Sequence, residues 1–141
     1  LYENALGGSF PKRGDYNYIK NKTEEVFYDP KCATKSLVDE VYETVNNRKK
    51  LIKILAMAKS AIRHNMKNEL SKIQIPTCII WGENDTVTPP QVAKEFHKLI
   101  SSSNIFWIRK CGHAAMMEQP KVFNEILITW LQNIENENLT S

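Results

Sequence analysis

The sequence predicts an α/β chain in which an all-helical block precedes a strand, helix, strand and helix belonging to a parallel sheet. Three observations carry that reading. Two short runs, Thr77-Cys-Ile-Ile-Trp81 and Ile105-Phe-Trp-Ile108, are apolar without alternation, the pattern of parallel strands buried on both faces. One helix-patterned stretch separates them, and the polar residues presented beyond the two strands, Asp85 and His113, stand 28 positions apart, about one strand–helix–strand unit. Upstream, apolar residues recur at helical spacing with no strand-like run. Two parallel strands cannot cover their own faces and edges, so the remaining strands are expected from residues beyond these 141, and the domain reads as truncated.

The elements follow in order. Gly7-Gly8, Pro11 and Gly14 leave residues 1–14 as loop. Asp15 is placed to cap a helix carrying Tyr16, Ile19, Thr23, Val26 and Phe27, which Asp29-Pro30 stops. A second helix from about Ser36 aligns Leu37, Val38, Val41, Tyr42 and Val45; Asn46-Asn47 interrupts it. A third aligns Leu51, Ile52, Leu55, Ala58 and Ile62 and ends near Asn65. After the first strand, Gly82 allows a sharp turn, and Thr88-Pro89-Pro90-Gln91 reads as a capping box opening a helix with Val92, Phe96, Leu99 and Ile100 on its buried side. Ser101-Ser-Ser-Asn104 ends that helix ahead of the second strand. Val122, Phe123, Ile126, Leu127, Trp130, Leu131 and Ile134 then mark the cleanest amphipathic helix, with a polar, fraying tail from Glu135.

Composition bounds the class. A hydrophobic share of 42% and a charged share of 25% suit a soluble globular chain, and no apolar run approaches the roughly 18 residues of a membrane-spanning helix. The net charge of +3 is uneven: residues 1–75 carry 14 Lys/Arg against 9 Asp/Glu, residues 76–141 carry 5 against 7. The basic residues are read as scattered over solvated helix faces rather than packed in a stripe, so no nucleic-acid partner is expected, and no membrane partner. Cys32, Cys78 and Cys111 are an odd number without metal spacing, which reads as reduced thiols in a cytoplasmic setting. Asn21-Lys-Thr23, Asn84-Asp-Thr86 and Asn138-Leu-Thr140 match the glycosylation triplet and carry no weight without a secretory signal. The chain opens Leu1-Tyr-Glu-Asn4 without an initiating Met or a basic leader, and is expected to be a piece of something longer.

The chemistry rests on Asp85 and His113. Alone, each is compatible with an ordinary turn: Asp is favoured in turns for its local hydrogen bonds, and a loop histidine after Gly112 is commonplace. Together they stand at the carboxyl ends of successive parallel strands, where open α/β sheets carry function. A carboxylate accepting the Nδ1 proton would fix the imidazole tautomer and leave Nε2 as a base, two of the three members of a Ser-His-Asp hydrolase.

Residues 26–132 resemble the C-terminal half of α/β-hydrolase-fold enzymes, a helical lid followed by the last two strands and helices. The local words resemble the meta-cleavage-product hydrolase branch and its esterase-like relatives: Phe27-Tyr28-Asp29 at the lid entrance, Ile80-Trp81-Gly82-Glu-Asn-Asp85 at the acid turn, Cys111-Gly-His113 at the histidine turn, then Met117-Glu118 and Phe123-Asn124. The resemblance implies Asp85 as triad acid and His113 as general base, with Val87 and Ala114 near the substrate. It also implies a lid at 15–70, a hydrolase core at 71–136 and a tail at 137–141.

No pair of the five glycines brackets a serine as Gly-x-Ser-x-Gly. Gly7-Gly8-Ser9-Phe10-Pro11 comes nearest, but no strand precedes Ser9 and Pro11 occupies the second glycine's place. Cys111, two residues from His113, suits packing beneath the loop better than nucleophilic attack. The nucleophile is therefore expected upstream of this chain, which alone should be inactive. Carbon–carbon hydrolases of the branch carry Trp after the Cys-Gly-His turn and Arg on the first long lid helix; this chain has Ala114 and Val41. A small carboxylic ester is the expected substrate, with carbon–carbon cleavage and a non-catalytic fragment that self-associates as alternatives. His97 is expected to be exposed, and His64 could face substrate. Neither cofactor nor metal is called for; the expected partners are the substrate, the missing N-terminal half and a second copy through the open sheet.

Overall fold

The computed structural model describes residues 12–64 and 66–140, without the side chains of Ile62 and residues 137–140. Residues 1–11 of the loop expected at 1–14, Ser9 among them, Asn65 and Ser141 lie outside the described residues. The chain divides into two compact units, Leu1–Glu24 with Ala33–Met66 and Glu25–Cys32 with Lys67–Ser141.

The first unit is helical: α1 (Tyr16–Glu24), α2 (Lys35–Asn46) and α3 (Arg48–Arg63). Asp15 caps α1, its Oδ1 accepting the Tyr18 N–H at 3.1 Å. Thr34 caps α2 through the Leu37 N–H, and Asn47 closes α2 while its Oδ1 accepts from Lys49 and Lys50 at the start of α3. One asparagine thus ends one helix and begins the next. Ile19, Thr23 and Val38 are buried between α1 and α2, with Tyr16 edge-on to Tyr42 at 5.3 Å and the Tyr16 hydroxyl donating to Asp39 at 2.7 Å. On α3 the half-buried positions are Leu51, Ile54, Leu55 and Ala58, while Ile52, expected in that stripe, is exposed. Helical rotation places Ile52 about 100° from Leu51, beyond the edge of the stripe.

The first helix is shorter than expected. Val26 and Phe27 have the spacing to continue α1, yet it ends at Glu24 and both lie in the following turn. Tertiary partners claim that backbone: the Val26 C=O accepts the His113 N–H at 2.8 Å, and the Glu25 C=O accepts the Thr86 hydroxyl at 3.3 Å. Phe27 is buried, and Pro30–Cys32 forms one 3₁₀ turn. Residues 25–32, read from sequence as helical lid, therefore group with the strands.

The second unit holds α4 (Lys67–Leu70), β1 (Thr77–Gly82), α5 (Pro90–Leu99), β2 (Ser103–Ile108), α6 (Ala115–Glu118) and α7 (Pro120–Thr140). Strands β1 and β2 pair in parallel from Thr77↔Ser103 to Gly82↔Ile108, as the strand–helix–strand order requires. The core centres on Ile108, Cys111 and Ala115, with Ile80, Phe123 and Ile126 packed against it. Trp81 meets Phe96 edge-on at 6.2 Å and donates its indole N–H to the Thr88 C=O at 3.0 Å. Full burial of both strands does not hold within this chain: Cys78, Ile80, Ile105, Phe106 and Trp107 remain half-buried, because among the described residues the sheet has two strands. Helix α7 runs through Thr140 rather than fraying at Glu135; residues 121–140 contain neither Gly nor Pro to break it.

Candidate active site

The two functional turns are fastened to each other through the backbone. Beyond β1, the Glu83 N–H donates to the Ile108 C=O and the Asn84 N–H to the Cys111 C=O, both at 2.9 Å. Gly82 and Gly112 are what allow that approach. A Cβ on Gly82 would overlap the carbonyl oxygens of Gly112 and Cys111, and one on Gly112 would stand 2.6 Å from the Val26 oxygen. Segment 26–28, the histidine turn and the acid turn therefore stack in backbone contact, which only residues without a side chain permit.

Asp85 is 5% exposed, and its carboxylate is fully engaged. Oδ1 accepts the N–H of Val87 at 2.9 Å and of Thr88 at 2.8 Å; Oδ2 accepts the Thr88 hydroxyl at 2.9 Å and faces His113 Nδ1 at 2.9 Å. Those four partners occupy the four lone-pair sites of a carboxylate. With Nδ1–H donating to Asp85, Nε2 carries the free lone pair, on a side chain 42% exposed. The separation is that of an ordinary hydrogen bond. Thr88 Oγ1 also lies 3.0 Å from the same Nδ1, so that one N–H faces two oxygens.

Thr88 is a residue whose role the sequence misassigned. As the start of a capping box it would spend its hydroxyl on α5, but Pro89 occupies the cap position without a side-chain bond and Thr88 turns to Asp85 instead. A signal was available: Asp followed two and three positions on by backbone donors is an Asx turn. Glu118 is a residue to which the sequence reading gave no role. Its Oε2 accepts the Gly112 N–H at 2.6 Å and its Oε1 the Asp29 N–H at 2.7 Å, so one carboxylate clasps the histidine turn to segment 25–32. Asp29 lies 89 positions away, and no local pattern marks such a pairing. Gln119 braces the same turn, donating to the carbonyls of Arg109 and Lys110 at 2.7 and 2.9 Å; Lys110 there takes the left-handed conformation at φ 50°.

The other expected residues are placed as follows. Val87 lies within the Asp85 loop, side chain exposed, and Ala114 directly follows His113, its C=O accepting from Met117 and Glu118 to start α6. His97 is exposed, with Nδ1 2.9 Å from the Ser103 hydroxyl. His64 ends α3 and donates Nδ1–H to the Ser60 C=O at 2.9 Å. Cys111 is fully buried; burial first, then the Glu118 carboxylate, push its thiol up to about 12. Burial also raises Cys32 and Cys78, so none of the three thiols is activated for attack. Among the described residues, no group of three His, Cys, Asp or Glu side chains is arranged to hold a metal.

Residues 11–120 match the model of the alpha/beta hydrolase fold family. Human monoacylglycerol lipase ABHD6 is 30% identical over 110 residues, 78% of this chain and 32% of that protein. The crystal structure of MGS-MChE2, an alpha/beta hydrolase enzyme from the metagenome of lagoon sediments at Mar Chica, Morocco, is 58% identical with a TM-score of 0.66 over 72% of this chain and 46% of that one. The meta-cleavage product hydrolase of Pseudomonas fluorescens IP01 is 19% identical with a TM-score of 0.76 over 94% of this chain and 50% of that one, a likeness of fold. The chain thus spans about a third of the curated relative and about half of each solved structure. With the family's pattern matched over most of its length, this chain belongs to the alpha/beta hydrolase fold family and supplies its C-terminal part.

Proposed function

We propose that the whole protein is a serine hydrolase acting on a small carboxylic ester, and that this chain supplies the acid and the base of its triad. The observation that carries the reading is the 2.9 Å approach of Asp85 Oδ2 to His113 Nδ1, with the remaining carboxylate sites filled by Val87 and Thr88. A serine outside these 141 residues would attack the acyl carbon while His113 Nε2 takes its proton. Asp85 stabilises the imidazolium, the proton passes to the departing alcohol, and water then repeats the sequence to release the acid. The helices of the first unit act as the lid, with Val87 and Ala114 contacting substrate. The 30% identity to a monoacylglycerol lipase supports an ester substrate.

Carbon–carbon cleavage of the meta-cleavage type is the second reading, favoured by the fold likeness to such a hydrolase and opposed by Ala114 and Val41, which replace the Trp and Arg expected for an acidic dienoate. Turnover of short acyl esters by the complete protein, abolished by His113→Ala, supports the first reading; turnover of a dienoate with none of esters would replace it by the second. The chain alone is proposed to be inactive and to reside, with its three free cysteines, in the reducing cytoplasm. Its half-buried strands need covering by the N-terminal half or by a second copy. Sedimentation of the isolated chain as a well-folded monomer without apolar-dye binding would argue against that need.

A further inference from the structure

The basic excess of residues 1–75, read from sequence as scattered, is concentrated on α3. Arg48, Lys49, Lys50, Lys53, Lys59 and Arg63 are all exposed on this 16-residue helix, which contains no Asp or Glu. Among the described residues none of the six pairs with a carboxylate. Lys49 and Lys53, and again Lys59 and Arg63, are four apart and repel each other along the helix. Ile52, 58% exposed, and Met57, 73% exposed, stand among these cations on the two flanks of the half-buried stripe of Leu51, Ile54, Leu55 and Ala58. Beside Ile52 lies a shallow groove of about 390 Å³ with Leu55 and Ala56 in its lining and Lys59, Arg63 and His64 contributing its polar groups.

We propose that the outer face of α3 is a docking surface for an anionic lipid bilayer. A face serving solubility alone would intersperse both signs of charge. A helix lying in the bilayer interface uses both features. Its apolar side chains enter the boundary between headgroups and acyl chains, and its cations meet the phosphates. Each Lys or Arg held near such a surface strengthens partitioning by about fivefold. A nucleic acid would satisfy the cations but gain nothing from Ile52 and Met57, so lipid is the occupant that fits the whole face. The inference stands on α3 and does not depend on which bond the active site cleaves.

The test is sedimentation of the full-length protein with vesicles of phosphatidylcholine alone or mixed with phosphatidylglycerol. The protein should partition to the mixed vesicles only, and release with added salt. Lys49→Gln with Lys53→Gln should weaken that partitioning by about 25-fold; Lys49→Glu with Lys53→Glu should weaken it further, with the circular dichroism unchanged. Tryptophan emission of the Met57→Trp variant should shift to the blue with mixed vesicles alone. Equal partitioning to the two vesicle types, indifference to both lysine pairs, or preference for a duplex oligonucleotide over mixed vesicles would overturn the proposal.

Discussion

Glu118 is the side chain whose removal should matter most outside the Asp–His pair. Its two hydrogen bonds, 2.6 Å from the Gly112 N–H and 2.7 Å from the Asp29 N–H, have the short length of charge-assisted bonds. Each such bond contributes about 1.5–3 kcal/mol, but the two are not equivalent. Asp29 is exposed, so water replaces the carboxylate there; Gly112 is buried, so its N–H is left without an acceptor. Glu118→Ala should therefore destabilise the folded protein by about 2–4 kcal/mol, nearly all of it at Gly112. Glu118→Gln keeps the shape and one acceptor oxygen. That oxygen can serve Gly112 while the amide N–H groups face the Asp29 donor, and the loss should fall to about 1–2 kcal/mol. Urea unfolding of the full-length protein, with the slope checked for constancy, measures both. A second readout separates the clasp from bulk packing: Glu118 helps to hold the Cys111 thiol high, so Glu118→Gln should lower the pH at which that thiol ionises. Glu118→Ala within about 0.5 kcal/mol of the parent would refute the argument, since that is the scatter of ordinary surface changes.

In the full-length enzyme, Asp85→Asn should lower kcat by roughly 10³–10⁴-fold through the wrong imidazole tautomer. Thr88→Val removes one of four bonds to the Asp85 carboxylate and should lower kcat by about tenfold or less; equality of the two variants would mean that Thr88, not the Asp–His contact, orients the ring. Gly82→Ala places a Cβ against the carbonyls of Gly112 and Cys111, backbone atoms that cannot step aside, and should cost about 3 kcal/mol or more in denaturant unfolding. Cys111 ionises near 9.0 when exposed and near 12 in the fold, so the folded state binds its proton more tightly. Its stabilisation is complete below about pH 9 and lost as the pH rises toward 12, and Cys111→Ala should flatten that alkaline fall, measured as midpoint against pH.

Local chemistry was legible without a structure. The strands read at 77–81 and 105–108, the helices on either side, the break at Asn46-Asn47 and the cap at Asp15 follow from patterns within a few residues, so the sequence by itself determined them, while the double use of Asn47 as a cap came from the structure. It also determined the pairing of Asp85 with His113, because parallel strands joined by one helix leave their carboxyl ends side by side whatever the details of packing. What only the tertiary structure decided is where distant backbone competes with local preference. Val26 and Phe27 have helical spacing, yet the His113 N–H takes the Val26 carbonyl and the helix stops. Thr88 has the signature of a cap, yet an adjacent carboxylate is the stronger acceptor site for its hydroxyl. Glu118 and Asp29 meet across 89 positions, and the lysines and arginines of α3 line one exposed face only once the opposite side of the helix is packed. Periodicity encodes which face a segment can bury; which partners arrive to satisfy its polar groups is set by the whole chain.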